Sequence, residues 1–273
     1  MDESRDMENA TGVSDRTARQ SNAARRRMLG VSGEPLLYAD WLRAVFIHFE
    51  VNAEILQREV PFDLDLCEGR AYLSLVAFTM RGMHPRLGGR MGALLFKPIA
   101  THNFLNVRAY VKHRGEPGIH FLAEWMDNPL SVRLGPLLFG LPYQLGKLQY
   151  VHRHEAGLLH GMVSGGDARL EYAAEIDPTA DFQSCSAGSL DEFLLERYTA
   201  FTAKKSNQYD FFRIWHPPWP QVPVEISLRD VSLLEERWSW FHYARLIGAN
   251  YSPGVKRVWM GRPQRLRQAG CRL

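Results

Sequence analysis

The sequence predicts a β-rich α+β chain: one antiparallel sheet, closed as a β-barrel or strongly bent, with a few peripheral helices. Three observations lead there. Short apolar or alternating segments recur between turns rich in Gly and Pro. Only two or three segments read as helices, and the βαβ alternation of a parallel fold is absent. Finally, Gly140-Leu141-Pro142-Tyr143 forms a sharply defined corner with strand-like segments on either side.

Composition narrows the class further. With 273 residues and 45% hydrophobic content, the chain can bury a sizeable core without staples. Cys67, Cys185 and Cys271 are odd in number and form no C-x-x-C pair, which fits a reducing compartment and argues against a disulfide framework or structural zinc. No apolar run reaches the roughly 20 residues needed to span a bilayer. Asp2, Glu3, Asp6 and Glu8 are ill suited to a transit peptide, so a cytoplasmic protein without a membrane partner is expected. The net charge of +3 is unevenly spread. Eight basic residues follow Glu236, the last acid, so the chain up to that point is net acidic.

Residues 1–33 are polar, with Arg25-Arg26-Arg27 as the one charge cluster and no sustained apolar period; a disordered leader is expected. A single domain is expected over 34–258, followed by a basic tail over 259–273. Residues 41–51 are aromatic and β-branched enough for a strand, and Asn52 can cap a short helical turn after it. Residues 64–66 and 71–80 read as a hairpin about Glu68-Gly69, the second strand being apolar on both alternating sets and so covered on both faces. Residues 81–90 read as a loop.

Residues 104–111 form the most informative strand. One face carries Leu105, Val107, Ala109 and Val111; the other carries Phe104, Asn106, Arg108 and Tyr110. After a Gly115–Gly118 turn, residues 119–125 should return antiparallel, with His120, Leu122 and Glu124 on one face and Ile119, Phe121, Ala123 and Trp125 on the other. A short apolar helix should stop at Gly140 in a left-handed cap, and Pro142 keeps Leu141 out of helix. Beyond lie a hairpin over 147–163, a strand over 169–174, a capping box Ser189-x-x-Glu192 opening a helix to about Thr199, and further strands over 209–215, 222–226 and 233–246.

Four motifs then stand in a fixed order: Asn106-Val107-Arg108-Ala109-Tyr110-Val111, Gly140-Leu141-Pro142-Tyr143, Glu196-Arg197-Tyr198 and His216-Pro217-Pro218-Trp219-Pro220. In that order they resemble the YqjF-like domain-of-unknown-function family over about residues 38–258. That family resembles acetoacetate decarboxylase in fold. The resemblance implies a barrel-like sheet around a cavity of small-molecule size. Acetoacetate decarboxylase forms a Schiff base from a lysine after a Gly-x-Pro, with a second lysine beside it to depress its pKa. Here Tyr143 and Gln144 occupy those positions, and Phe104 stands where the family pattern has Glu. Both departures argue against Schiff-base decarboxylation.

The candidate site residues follow. Arg108 could clamp a substrate carboxylate, with Asn106, Tyr110, Glu124 and Tyr143 as the rest of a substrate-binding set. Equally, Arg108 could pair with an internal acid such as Glu124 and hold the sheet together. Lys147 is the candidate nucleophile, if its strand faces inward; a surface lysine at a strand start is the alternative. His152, His154 and His160 resemble a metal set only superficially, because no carboxylate but Glu155, which points the other way, could complete it, and neither metal nor cofactor is expected. The expected function is binding of a small organic acid or carbonyl compound as a small-molecule ligand. Lyase or hydrolase chemistry at a carbonyl carbon and a non-catalytic binding or structural role both stay open. So does homo-oligomerisation. Nucleic acid is not an expected partner, because the basic termini carry no recognition-helix pattern.

Overall fold

A computed structural model describes residues 3–204 and 208–266, with side chains from residue 16 onward. Helix α1 (Glu3–Leu29) precedes strand β1 (Leu37–Val51), helix α2 (Ala53–Glu59), the short strand β2 (Asp63–Leu64) and β3 (Ala71–Pro85). Helix α3 (Gly89–Phe96) and a 3-10 turn (Lys97–Ile99) lead into the hairpin β4 (His102–His113) and β5 (Glu116–Met126). Then come α4 (Pro129–Phe139), β6 (Tyr143–Leu145), β7 (Lys147–Arg153), β8 (Leu158–Gly165) and β9 (Ala168–Glu175). The remainder is α5 (Leu190–Leu195), β10 (Thr199–Lys204), β11 (Gln208–Trp215), β12 (Val222–Pro223), β13 (Ile226–Asp230), α6 (Ser232–Glu235), β14 (Arg245–Met260) and β15 (Gln264–Arg265).

The main sheet runs β12-β14-β1-β3-β4-β5-β10-β11-β15, with β2 paired to β4 and β6 to β5. It bends until the end of β11 also meets β14, where Ile214 pairs Met260 and Trp215 pairs Trp259. Its ladders are antiparallel except where β10 and β6 lie parallel to β5. A second sheet, β13-β9-β8-β7, packs on its outer face. No helix among the described residues is long and apolar enough to cross a membrane.

The bend creates two cores, and β3 shows why. Leu73, Leu75 and Ala77 join the outer core with Leu148, Val163 and Leu170 of the second sheet, while Tyr72, Val76, Phe78 and Met80 face inward. Period-two alternation with both sets apolar is the pattern of a strand covered on both sides, as expected.

On β5 the alternation breaks. Val107 pairs Ala123, but the next residue, Arg108, pairs Phe121, so Leu122 is one residue too many. This β-bulge reverses the faces on its C-terminal side. Ile119 and Phe121 point inward, Ala123 and Trp125 join the outer core, and Glu124 turns into the bend. His120 lies on the opposite face from Glu124, with its ring 5.5 Å from Phe62 and Nδ1 2.9 Å from the Phe201 carbonyl.

Other expectations are corrected. The leader is helical, and Thr17, Ser21, Ala24 and Met28, spaced four, three and four apart, are buried. Its docking is largely polar. Thr17 Oγ1 donates to Glu192 Oε1 at 3.1 Å, Ser21 Oγ donates to the His216 carbonyl at 2.7 Å, and Arg25 lies over the rings of Trp215 and Trp259. Strand β2 pairs β4, leaving only a Cys67–Arg70 bridge about the Glu68-Gly69 turn. The expected loop over 81–90 is the end of β3 and the start of α3. Helix α5 stops at Leu195, so that Thr199 can begin β10. Residues 232–243 are short helical turns rather than a strand. The basic tail enters the sheet through β14 and β15 up to Arg265; residues 267–273 lie outside the described residues.

Candidate functional site

The inner face of the bend encloses a cavity of about 410 Å³. Its walls are largely aromatic and aliphatic, including Trp41, Phe78, Phe104, Phe121 and Phe212, and α3, the Lys97–Ile99 turn and α4 border it at one end. Three strands put polar groups in one row across it. Asn106 of β4 pairs Glu124 of β5, and Glu124 pairs Tyr143 of β6.

Local sequence explains the third member of that row. Asn128 caps α4 by accepting from the Ser131 N–H at 3.0 Å, and Gly140 closes the helix at φ 68° in the left-handed region. The Pro142 carbonyl then accepts from the Glu124 N–H at 3.2 Å, which locks the corner onto β5. Tyr143 lies against Gly135, where a Cβ would run into its ring, and meets Phe104 edge-on at 5.9 Å. Gln144 faces away from the cavity; in the amide orientation that satisfies both groups its oxygen accepts from Arg237 at 2.9 and 3.2 Å.

Several buried polar atoms lining this cavity have no hydrogen-bond partner: Glu124 Oε2, Asn106 Oδ1, Ser131 Oγ, Trp41 Nε1 and both ring nitrogens of His102. An unpaired buried polar group costs roughly 1–3 kcal/mol, so their convergence on one apolar space is unusual for a merely structural core. Burial pushes the Glu124 carboxyl well above its ordinary range, which favours the protonated form, the one able to donate a hydrogen bond. Burial and then Glu124 raise the Tyr143 phenol in the same way, and burial lowers His102 to about 4. Among the described residues no Lys or Arg lines the cavity. The space therefore offers hydrogen-bond donors and acceptors on apolar walls.

Of the residues singled out by sequence, Asn106, Glu124 and Tyr143 come together here; Arg108, Tyr110 and Lys147 do not. Arg108 is buried, donates from Nη2 to the Leu194 carbonyl at 2.7 Å and lies over the Phe46 ring at 5.6 Å. Its side chain does not line the cavity, makes no ion pair with Glu124 and keeps Nε buried without a hydrogen-bond partner. The Tyr110 hydroxyl donates to the same Leu194 carbonyl at 2.9 Å and contacts Ser74 Oγ at 2.5 Å. From Ser74 a buried chain continues through His48 and Asn250 to Gln221. Lys147 is exposed at the start of β7, opposite Ser164, in the second sheet.

Sequence reasoning missed His102, Ser131 and Trp41. His102 was within reach, because it lies two residues before Phe104 on the same strand face. Ser131 lies in the first turn of a helix that begins earlier than its apolar core suggests, and Trp41 sits in a strand whose inner face the sequence leaves undefined. The histidine trio is not gathered. His152 bonds the Arg43 carbonyl and Tyr172, His154 bonds Tyr251, and His160 meets Glu171. Among the described residues no three His, Cys, Asp or Glu side chains are placed to share a metal. Ser131 and His102 likewise make no hydrogen bond to each other, so no serine nucleophile and base are paired.

The strongly bent sheet with its apolar inner cavity has the fold of acetoacetate-decarboxylase-like structures. An acetoacetate decarboxylase-like enzyme from Sphingomonas wittichii RW1 superposes with a TM-score of 0.61 at 15% identity, over 86% of this chain and 94% of that one. The enduracididine biosynthesis enzyme MppR, complexed with the condensation product of pyruvate and imidazole 4-carboxaldehyde, gives 0.61 at 13% identity, over 86% and 91%. Within that fold the chain belongs to the DUF2071 family, described as an uncharacterized conserved protein, whose profile matches residues 38–255. The uncharacterized protein YqjF of Bacillus subtilis (strain 168) is 29% identical over 215 residues, spanning 75% of this chain and 86% of its own length.

Proposed function

We propose that the protein binds a small, largely apolar carbonyl compound in this cavity, with the neutral Glu124 donating to the carbonyl oxygen and Asn106 and Tyr143 holding it in place. The observation that carries the reading is the Asn106–Glu124–Tyr143 row, whose buried oxygens Asn106 Oδ1 and Glu124 Oε2 have no protein partner. The carbonyl half of the sequence-based expectation is favoured over the organic acid. Among the described residues no cation lines the cavity to meet a carboxylate, and Glu124 would stand beside it. The MppR neighbour, seen with a condensation product of the keto acid pyruvate and an aldehyde, supports a carbonyl group as the ligand feature but does not bear on the choice against a carboxylate.

Turnover, if it occurs, is acid-assisted chemistry at the carbonyl carbon, of the lyase or hydrolase kind. An imine through Lys147 is not part of this reading, since that side chain is exposed outside the cavity. The test is a thermal-shift and calorimetric screen of ketones and aldehydes against the matching carboxylates. The neutral carbonyl compounds should bind and lose affinity at least tenfold on Glu124→Ala. Preference for the carboxylates, or binding indifferent to Glu124→Ala, refutes the assignment.

A further inference from the structure

The rim of the cavity carries an unusual surface. Leu87, Met91, Leu94, Leu95, Leu137 and Leu138 are each at least 60% exposed, and α3 buries no side chain at all. Soluble proteins scatter exposed apolar residues singly; these are concentrated on two short helices, and on Leu87 just before the first, bordering one opening. Leu95, Leu130 and Leu138 are at once exposed and part of the cavity wall, so the apolar surface continues from the outside to the inside.

The two segments that carry this patch hold cations but no acids, although Asp127 stands just before the second and Asp40 faces Arg81. Residues 81–100 contain Arg81, Arg86, Arg90 and Lys97 and no acid, and residues 128–147 contain Arg133 and Lys147 and no acid. Arg81 faces Asp40 at 3.5 Å, whereas Arg90, Lys97 and Arg133 have no carboxylate in ion-pair range among the described residues. Exposed leucines set among unpaired cations are the composition of an element that lies in the interface of an anionic lipid layer. A second copy of the chain fits worse. A two-fold contact centred on this patch would set the same cations against themselves.

We propose that this rim docks the protein on an anionic lipid surface, α3 and α4 dipping their leucines among the headgroups and turning the cavity mouth toward the membrane. The attachment is peripheral and involves no spanning segment. It deepens the reading of the cavity as a site for apolar compounds, which would then enter from the lipid side, but its test does not depend on that reading.

The test is flotation of the full chain with phosphatidylcholine vesicles, with and without phosphatidylglycerol. The protein should float with the anionic vesicles, be released by high salt, and stay behind with phosphatidylcholine alone. Two double variants, Leu94→Glu with Leu137→Glu and Arg90→Glu with Lys97→Glu, avoid the cavity wall and should each weaken vesicle binding at least tenfold. Both should keep the wild-type melting temperature and any carbonyl-ligand shift. That last measurement separates failure of docking from failure of the cavity assignment. No flotation with anionic vesicles, or full flotation of both variants, overturns the proposal. So does a lipid-free dimer that Leu94→Glu with Leu137→Glu dissolves, which would assign the patch to a second copy.

Discussion

Asn106 and Glu124 face each other across β4 and β5 as register partners, and each keeps one oxygen buried with no hydrogen-bond partner. The pair exists because of the bulge at Leu122. Without that extra residue Glu124 would lie on the same face as His120, in the outer core, where a carboxyl group has no use.

Glu124 links the cavity to pH. Its folded pKa is raised above the unfolded value of about 4.3, so the native state holds the proton more tightly. Its contribution is complete below the unfolded value and is lost as pH rises toward the folded one. Glu124→Gln, which cannot ionise, should remove this loss. Urea unfolding between pH 5 and 9 should show the variant gaining on the wild type by up to about 1.4 kcal/mol per pH unit. A constant difference across that range would show Glu124 already ionised in the fold.

Gly135→Ala should separate positioning from packing. The added methyl group collides with the Tyr143 ring, so the corner must shift. Overpacking of this kind costs about 1–3 kcal/mol. Ligand affinity should fall by more than the stability loss explains, as calorimetry and denaturant melts on the same preparation can establish.

His48 is the hub of the buried chain beyond the cavity, bonded to Ser74 at 2.7 Å and to Asn250 at 3.0 Å. Burial is the main cause that lowers its pKa to about 3. The neutral ring therefore contributes stability above the unfolded value of about 6.5 that is lost as pH falls toward 3. His48→Ala strands both partners and should destabilise by about 2–4 kcal/mol at pH 7, with the deficit shrinking in acid. Melts at pH 7 and 5 decide the point.

Lys147→Ala should leave stability within about 0.5 kcal/mol of wild type, as expected of an exposed strand end. Borohydride treatment with keto compounds, read by mass spectrometry, should give no adduct at this lysine. An adduct there that blocks ligand binding would restore the imine mechanism.

The parts of the site legible in the sequence are those made by local chemistry. Gly140 and Pro142 impose their own backbone angles, so the corner that carries Tyr143 could be read from four residues. The uninterrupted alternation of β4 placed Asn106 on the inner face. Arg108 shares that face, yet its partner is the Leu194 carbonyl, 86 positions away, which no periodicity encodes. Helix α1 was illegible for a different reason. It docks through Thr17, Ser21 and an Arg25–tryptophan stack, with only Ala24 and Met28 as apolar contacts.

By itself the sequence determined the β-rich class, the double-covered strand β3 and the capped corner at Gly140. These depend on near neighbours in the chain and on backbone angles that single residues dictate. The tertiary structure alone decided which polar groups meet. It supplied the bulge that turns Glu124 inward, the pairing of β6 with β5 that sets Tyr143 beside it, and the bend that makes a cavity of their shared face. The physical reason is that strand pairing and sheet curvature are set by the sum of many distant contacts, and a one-residue shift in register changes which side of the sheet a carboxyl group occupies.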